Sequence, residues 1–316
     1  MTATPATPSE IQTLRAPAKI NLGLRLMGVR DDGYHTLESV FAPIEIWDDL
    51  ELEVSPGEPR IDLEIEPSTS DELPAALSAV TDGPENLVVR AAAAFRKQTG
   101  LEGRIRLRLR KQIPAGAGLG GGSSDAAAVL QGLVSVFDGE LTREALHALG
   151  LSLGADVPFF LSPAPALVSG IGEKIENLAG LPPLDLVVAN PGISLATAEV
   201  YRAADALQSA LTEPKPGSTM RAISRLRGET GDLSPALGDL LINDLEPAAR
   251  RLCPPVARLI KRLKEVGAIG VSMSGSGATV FGVFESGDRA SEAAEMLRAS
   301  EPSESWIRVT RIITSG

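Results

Sequence analysis

The chain has 316 residues, of which 43% are hydrophobic, and its formal net charge is −11. This length predicts two domains, because a single hydrophobic core seldom grows past ~250–300 residues. The acidic balance argues against a nucleic-acid partner, which usually requires a basic surface, and no run approaches the ~18 apolar residues of a membrane span. The one cysteine, Cys253, cannot form an internal disulfide, which indicates a reducing cytoplasm.

The N-terminal part of the chain predicts a tail followed by strands and helices. The tail, residues 1–13, has neither the basic nor the apolar region of a signal peptide. Alternation of apolar and polar residues predicts half-solvated strands at Leu50–Val54, Ile61–Ile65 and Arg104–Arg110. The turn-rich segment Glu66–Pro84 predicts a loop. Helical spacing predicts helices at Asn86–Lys97, Ser124–Phe137 and Thr142–Leu149.

The pattern changes after about residue 167, which predicts an N-terminal domain of residues 1–167 and a C-terminal domain of residues 168–316. Strands are expected at Leu184–Ala189, Thr279–Phe284 and Trp306–Ile313. Amphipathic helices are expected at Ala196–Leu211, Ala248–Val266 and Glu292–Ala299, with a surface loop at Thr212–Thr219. Half-solvated strands mixed with such helices predict an α+β fold.

The stretch most informative about function is Pro114–Ala128, which contains five glycines and two serines between a predicted strand and a predicted helix. Glycine lets the backbone take positive φ and approach a ligand closely. A helix that starts at Ser123 or Ser124 presents free N–H groups and a partial positive charge. The loop therefore predicts a phosphate site, with the amides of Gly116–Ser124 as donors.

Other nucleotide motifs fit this loop less well. Gly116–Gly121 satisfies the G-x-G-x-x-G pattern of dinucleotide-binding enzymes, but a Rossmann strand is buried on both faces. The preceding strand here carries arginines on one face: Arg104, Arg106, Arg108 and Arg110. The loop lacks the lysine of a Walker A motif, and the protein-kinase motifs are absent from the sequence. A tight turn without a ligand explains one or two of the glycines, but not all five.

Three segments in order resemble the motifs of the GHMP small-molecule kinases, a family that includes galactokinase, homoserine kinase and mevalonate kinase: Ala16–Gly23, Pro114–Ala128 and Ser272–Thr279. Four more segments are similar to one branch of that family, which acts on CDP-methylerythritol: Gly33–Leu37, Glu85–Ala92, Leu153–Phe159 and Asn190–Ser194. The resemblance implies a ribosomal protein S5 domain 2-like N-terminal domain that binds ATP and a ferredoxin-like C-terminal domain that binds the substrate.

The resemblance implies transfer of a phosphoryl group from ATP to the 2-hydroxyl of CDP-methylerythritol, in the non-mevalonate route to isoprenoid precursors. Lys19 and Asp156 are implied as the catalytic pair. Asp156 would orient the hydroxyl and accept its proton, and Lys19 would offset the charge of the moving phosphoryl group. A solvated lysine and a capping aspartate are the alternatives. Mg²⁺ is expected to arrive with the nucleotide rather than in a protein metal site.

Binding residues are implied by the same resemblance. The expected ATP contacts are Pro114, Ala115, Gly116, Ala117, Gly118, Leu119, Gly120, Gly121, Gly122, Ser123 and Ser124, with Asn86 and Lys111 near the adenine. The expected substrate contacts are Asn21, Tyr34, His35, Thr197, Tyr201, Gly275, Ser276 and Gly277. Tyr34 and Tyr201 would stack on cytosine, since stacking is worth ~1–3 kcal/mol per base. The alternatives are a helix cap for Asn86, a turn residue for Tyr34 and a core residue for Tyr201.

Two other functions stay open at this point. One is a kinase of the same family with a different small alcohol as substrate, and the other is a non-catalytic nucleotide sensor that reuses the fold. The presence of Lys19 and Asp156 argues against the sensor. We expect a cytoplasmic monomer or weak homodimer with a small-molecule substrate, and neither nucleic acid nor a membrane as partner.

Overall fold

The computed structural model describes residues 10–31, 33–66, 73–137, 141–207, 217–228 and 231–314. Within them, a six-stranded sheet is formed by β1 (Gln12–Val29), β2 (His35–Ser55), β3 (Arg60–Glu66), β4 (Arg104–Arg110), β5 (Ala166–Gly170) and β6 (Lys174–Asn177). The helices of this half are α1 (Ala75–Ser78), α2 (Leu87–Thr99), α3 (Gly121–Val136), α4 (Arg143–Leu153) and α5 (Val157–Phe160).

Strand β2 organises the first sheet because it is long enough to pair along both edges. It runs antiparallel to β1 along most of its length, and it pairs with β5 near its start and with β4 near its end. Strand β3 joins β4 in parallel. Strand β4 buries Ile105, Leu107 and Leu109 and turns its arginines to solvent, as the alternation predicts. The predicted strands and helices of this half are thereby confirmed in type.

The second half contains a four-stranded antiparallel sheet of β7 (Asp185–Asn190), β8 (Gly270–Met273), β9 (Val280–Phe284) and β10 (Trp306–Arg311). Its spatial order is β10-β7-β9-β8, the split βαβ arrangement of ferredoxin-like domains. The helices are α6 (Thr197–Asp205), α7 (Ser218–Gly228), α8 (Ser234–Leu240), α9 (Glu246–Leu252), α10 (Pro254–Glu265) and α11 (Gly287–Ser300). The predicted two-domain α+β fold is confirmed.

One hydrophobic cluster joins the two sheets. It contains Ile20 and Val40 from β1 and β2 together with Leu186 and Phe281 from β7 and β9, and all four side chains are fully buried. Strand β1 is consequently buried on both faces from residue 16 to residue 24. This strand carries the first family motif, so the side chains of that motif are held in fixed positions between the two domains.

The structure corrects several boundaries. The predicted helix Ala248–Val266 is two helices, α9 and α10, because Pro254 and Pro255 cannot continue the first but can begin the second. Helix α3 begins at Gly121, earlier than Ser123. Strand β1 begins inside the expected tail of residues 1–13. Residues 1–9 of that tail, residues 67–72 of the first predicted loop and residues 208–216, shared by a predicted helix and loop, lie outside the described residues.

The expected domain boundary at residue 167/168 falls within β5. That strand pairs with β2, and β6 pairs with β5, so both belong to the first sheet. The first strand of the second sheet is β7. We therefore propose that the boundary lies between Asn177 and Asp185.

A buried ion cluster anchors the N-terminal part of α3 to the sheet. Lys111 follows β4, and its Nζ donates to Asp125 Oδ2 of α3 at 2.7 Å and to Asp48 Oδ2 of β2. Asp48 Oδ1 also accepts the backbone N–H groups of Gln112 and Ile113. The expected contact of Lys111 with adenine is therefore wrong, because its ammonium group is buried and held by two carboxylates.

The cluster holds one more carboxylate than cations, and its pKa values reflect this. Burial raises the pKa of Asp125 to about 8 against the attraction of Lys111, and the charge of Asp48 adds to the rise. Burial alone lowers the pKa of Lys111, but attraction by Asp125 and Asp48 outweighs burial and raises it. Asp125 Oδ1 is buried and has no hydrogen-bond partner within the described residues. Asp125 is therefore the member of the cluster that takes up a proton most readily.

We expect this proton to make stability depend on pH. The folded pKa of about 8 exceeds the ordinary value of 3.8, so in this window the folded state holds a proton that the unfolded state has released. The contribution of Asp125 to the unfolding free energy then falls as pH rises towards about 8, by up to ~1.4 kcal/mol per pH unit. Asp125→Asn should remove this fall, as measured by urea unfolding between about pH 5 and pH 9. Glu53→Gln, in an exposed ion pair, is the control. An unchanged pH slope in Asp125→Asn would contradict the assignment.

Candidate active site

A cleft of about 460 Å³ lies where β1, the glycine loop after β4 and the second domain meet. Most of the residues that the sequence analysis selected line it. They are Lys19, Asn21, Pro114, Ala115, Gly116, Ala117, Gly118, Gly120, Gly121, Gly122, Ser123, Asp156, Thr197, Tyr201, Gly275 and Ser276. The selected residues outside the lining are Tyr34, His35, Asn86, Lys111, Leu119, Ser124 and Gly277.

The glycine loop takes a backbone path that other residues rarely adopt. Gly116, Gly118 and Gly120 have φ values of 62°, 77° and 72°, in the left-handed region that favours glycine. A Cβ on Gly118 would lie 2.2 Å from the Ser274 carbonyl oxygen, so the third glycine motif touches this loop directly. Helix α3 starts immediately afterwards at Gly121. Its free N–H groups and dipole face the cleft as a site for anions.

Lys19 and Asp156 come from distant parts of the chain and meet in the cleft. The Lys19 Nζ lies 3.8 Å from Asp156 Oδ2, 2.7 Å from Asn21 Oδ1 and 4.6 Å from the centre of the Phe41 ring. The Lys19 side chain is 4% exposed, whereas that of Asp156 is 33% exposed. Burial lowers the pKa of Lys19, and the charge of Asp156 opposes that effect. The buried ammonium group of Lys19 therefore lies beside the Asp156 carboxylate, which is partly exposed to solvent.

Asn21 is the centre of a buried polar network that connects the domains. Its Nδ2 donates to Ser39 Oγ at 2.8 Å, and its backbone N–H donates to Ser274 Oγ at 3.3 Å. Ser274 Oγ in turn donates to the carbonyl oxygen of Gly118 at 2.9 Å. The network therefore fixes β1, the glycine loop and the third motif against one another. Ser39 was not selected from the sequence, where an isolated serine gives no positional signal, and Ser274 was included only as part of the third motif.

Asn243 is a second residue that sequence reasoning missed. It is buried, and its Nδ2 donates to the carbonyl oxygens of Met273 and Gly275, both at 2.8 Å, while its Oδ1 accepts the Leu245 N–H. The turn that contains Gly275 is thereby held from behind. The neighbouring Asp244 accepts the backbone N–H of Leu26 at 2.9 Å. No element was predicted from the sequence for residues 220–247, and neither residue belongs to a recognised motif.

Helix α6 closes the far side of the cleft. Its first residue, Thr197, forms a hydrogen bond between Oγ1 and Ser276 Oγ at 3.0 Å. Before the helix, Ser194 Oγ donates to the Gly116 carbonyl oxygen at 3.1 Å. These contacts connect the start of α6 to both glycine turns. The helix then presents Tyr201 to the cleft.

Of the two tyrosines expected to stack on cytosine, Tyr201 lines the cleft and Tyr34 does not. Tyr34 is 64% exposed and lies outside the lining, whereas the His35 ring lies 5.0 Å from the Tyr201 ring, tilted by 46°. The His35 Nε2 is 2.7 Å from Asp205 Oδ1. Burial, with the charge of Asp156 in addition, raises the pKa of Tyr201 to about 12. Its phenol therefore stays protonated at neutral pH.

Asn86, expected near the adenine, is a helix cap. Its Oδ1 accepts the Val88 N–H at 2.9 Å, and its Nδ2 donates to the Thr81 carbonyl oxygen at 2.6 Å. The cleft contact at this point is the next residue, Leu87. Ser124 is also turned inward: its buried hydroxyl has no hydrogen-bond partner among the residues that the structure describes.

Few charged side chains line the cleft. Over the described ranges, no cluster of three or more His, Cys, Asp or Glu side chains is placed to hold a metal ion. The charged side chains among the lining residues are Lys19 and Asp156. A Mg²⁺ ion that arrives on phosphate oxygens needs few protein ligands, and the partly buried Ser123 offers a hydroxyl at the start of α3.

No helix in the described part of the chain is long and apolar enough to cross a membrane.

Comparison with known proteins agrees with this geometry. The models of the GHMP kinases N terminal domain and the GHMP kinases C terminal domain match residues 86–163 and 220–302. The chain is 41% identical to a 4-diphosphocytidyl-2-C-methyl-D-erythritol kinase of Citrifermentans bemidjiense, over 89% of this chain and 92% of that protein. It is 38% identical to one of Granulibacter bethesdensis, over 92% and 91%.

A crystal structure of 4-(cytidine 5'-diphospho)-2C-methyl-D-erythritol kinase is 38% identical in sequence and has a TM-score of 0.74, covering 96% of this chain and 100% of that one. Similarity of this extent includes both domains and all three glycine-containing motifs. The chain therefore belongs to the 4-diphosphocytidyl-2-C-methyl-D-erythritol kinase family of the GHMP kinases.

Proposed function

We propose that this protein transfers the γ-phosphoryl group of ATP to the 2-hydroxyl of 4-diphosphocytidyl-2-C-methyl-D-erythritol. The observation that carries the proposal is the Lys19–Asp156 pair, 3.8 Å apart, beside a glycine loop that ends at a helix N-terminus. Anionic phosphates and a neutral hydroxyl are the groups that such a pair and such a loop can bring together. The names of the relatives supply the identity of the alcohol.

The phosphates are bound mainly by the backbone. The protein has a net charge of −11. The N–H groups of the glycine loop and the dipole of α3 provide partial positive charge at fixed positions, without additional lysine or arginine side chains. Lys19 adds one full charge from the floor of the cleft. A Mg²⁺ ion arriving with the nucleotide would neutralise further phosphate charge, and the Ser123 hydroxyl would be available to it as a ligand.

Phosphoryl transfer then needs positioning more than covalent chemistry. The 2-hydroxyl oxygen attacks the γ-phosphorus, the bond to the oxygen bridging the β- and γ-phosphorus atoms breaks, and ADP leaves. Asp156 orients the hydroxyl and accepts its proton, a form of help that is typically worth ~10²–10⁴-fold. Lys19 favours the ionised carboxylate and offsets charge on the phosphoryl group during transfer. Asn21 holds the Lys19 ammonium through its Oδ1, 2.7 Å away.

The cytidine end of the substrate lies, in this proposal, towards α6. Tyr201 offers an aromatic face, and base–aromatic stacking is worth ~1–3 kcal/mol. His35, packed on Tyr201, offers a ring nitrogen at the edge of the same region. Tyr34 stays a proposed second face, reached by rotation of an exposed side chain. Thr197 and the turn at Gly275 and Ser276 would face the diphosphate.

We also propose a cytoplasmic location and a monomer or weak homodimer.

The substrate is tested by a coupled ADP assay. With ATP and 4-diphosphocytidyl-2-C-methyl-D-erythritol, the purified protein should release ADP in proportion to the phosphorylated product, because the proposal assigns Asp156 to orient that alcohol. Mevalonate and homoserine, substrates of other GHMP kinases, serve as controls and should give background rates. Turnover of either control at a rate above that of the cytidine compound would contradict the proposal.

The glycine loop is tested by Gly118→Ala. The added Cβ would meet the Ser274 carbonyl oxygen at 2.2 Å, and alanine is strained at a φ of 77°. We expect the loop and the third motif to separate, so that kcat/KM for ATP falls ~10²-fold. Gly238→Ala is the matched control because that site, within α8, has no atom within 4 Å of the added Cβ. It should keep wild-type kinetics. Gly118→Ala with the kinetics of Gly238→Ala would show that the contact does not matter.

A further inference from the structure

One turn of helix α6 holds the His35 ring on two sides. Tyr201 packs against the ring with centroids 5.0 Å apart, and Asp205, four residues later, has its Oδ1 2.7 Å from Nε2. Residues at i and i+4 lie on the same side of a helix. The His35 side chain is 11% exposed, and His35 begins β2 in the other domain. The imidazole is therefore oriented from the far side of the cleft.

The Asp205 contact determines where the imidazole proton sits. An ionised carboxylate only accepts hydrogen bonds, so the ring nitrogen that faces it must carry hydrogen. In the neutral ring the other nitrogen is then an acceptor. Since Nε2 of His35 faces Asp205, Nδ1 is the acceptor nitrogen of the neutral ring.

An acceptor at this position distinguishes two kinds of pyrimidine. Cytosine carries an amino group at position 4, which donates, whereas a 4-oxopyrimidine carries a carbonyl, which accepts. Nδ1 as an acceptor pairs with the amino group and opposes the carbonyl. With the proton on Nδ1 instead, the preference would reverse. Specificity of this kind is strong because the mismatched partner leaves polar groups without hydrogen bonds.

We propose that Asp205 is a positioning residue that makes the site select a 4-aminopyrimidine over a 4-oxopyrimidine, by holding the His35 proton on Nε2. This proposal rests on the proposed function, because it requires the pyrimidine of the substrate to lie beside Tyr201 and His35. Asp205 itself need not touch the substrate. Its carboxylate acts through the imidazole, and the aromatic contact with Tyr201 keeps the ring from turning over.

The test compares inhibition by CDP and by UDP. Both are measured as competitors of the cytidine substrate in the coupled ADP assay. Wild type should bind CDP at least ~10-fold more tightly than UDP. In Asp205→Ala we expect this ratio to fall to about 1, with an unchanged KM for ATP. Asp205→Asn, whose amide can accept or donate, should give an intermediate ratio.

Two further variants make the test specific. Asp205→Glu keeps a carboxylate and should retain most of the selectivity. Glu199→Ala removes an exposed carboxylate from the same helix and should keep the wild-type ratio. Equal ratios in wild type and Asp205→Ala would overturn the inference, and so would a wild type that binds CDP and UDP equally. If wild type does not phosphorylate the cytidine substrate at all, it is the proposed function that fails.

Discussion

The account depends on the backbone contact between Gly118 and Ser274. The two residues belong to different domains, and the gap between them is too small for a side chain. Ser274 uses the same approach to donate its hydroxyl to Gly118 while accepting the Asn21 N–H. The contact therefore fixes the phosphate loop, β1 and the third motif in one arrangement. Because Lys19 lies two residues before Asn21 in β1, the same arrangement fixes the position of Lys19 in the cleft.

Charge in the cleft is sparse, and this is consistent with the chemistry proposed for it. An acidic protein cannot easily collect many lysines around a polyphosphate, and the described lining holds one, Lys19. The other lysine near the loop, Lys111, is buried under α3 between Asp48 and Asp125. It holds the helix whose N-terminus lines the cleft. Lys19 therefore lines the cleft, whereas Lys111 is buried and holds helix α3 in place.

Sequence patterns predicted the parts of the fold that have one solvated face. Strand β4 and helix α4 were predicted because each shows a clear period of apolar residues. Strand β1 has both faces buried between residues 16 and 24, so it lacks alternation and was recognised only as a family motif. The break at Cys253 was missed because apolar spacing continued across two prolines that start a new helix.

The site was predictable where chemistry and glycine pattern coincide, and not where pairing depends on distant partners. The glycine loop is recognisable from its local sequence. Other hydrogen bonds of the site join residues that lie 32 or more positions apart: Lys111 with Asp48, Asn243 with Gly275, and His35 with Asp205. Such contacts follow from topology, which a single sequence does not display. For the same reason the contact between His35 and Tyr201 was not predicted, although both residues were expected to bind the substrate.

The most direct test of the central claim is a double-mutant cycle on kcat with Lys19→Met and Asp156→Asn. If the two side chains act as one unit on the transferred phosphoryl group and the hydroxyl proton, each single change should lower kcat by ~10²–10⁴-fold. The double mutant should then be little worse than the more damaging single mutant, because the effects of such a unit do not add. An Asp156→Asn enzyme with wild-type kcat, or losses that simply multiply, would contradict the account.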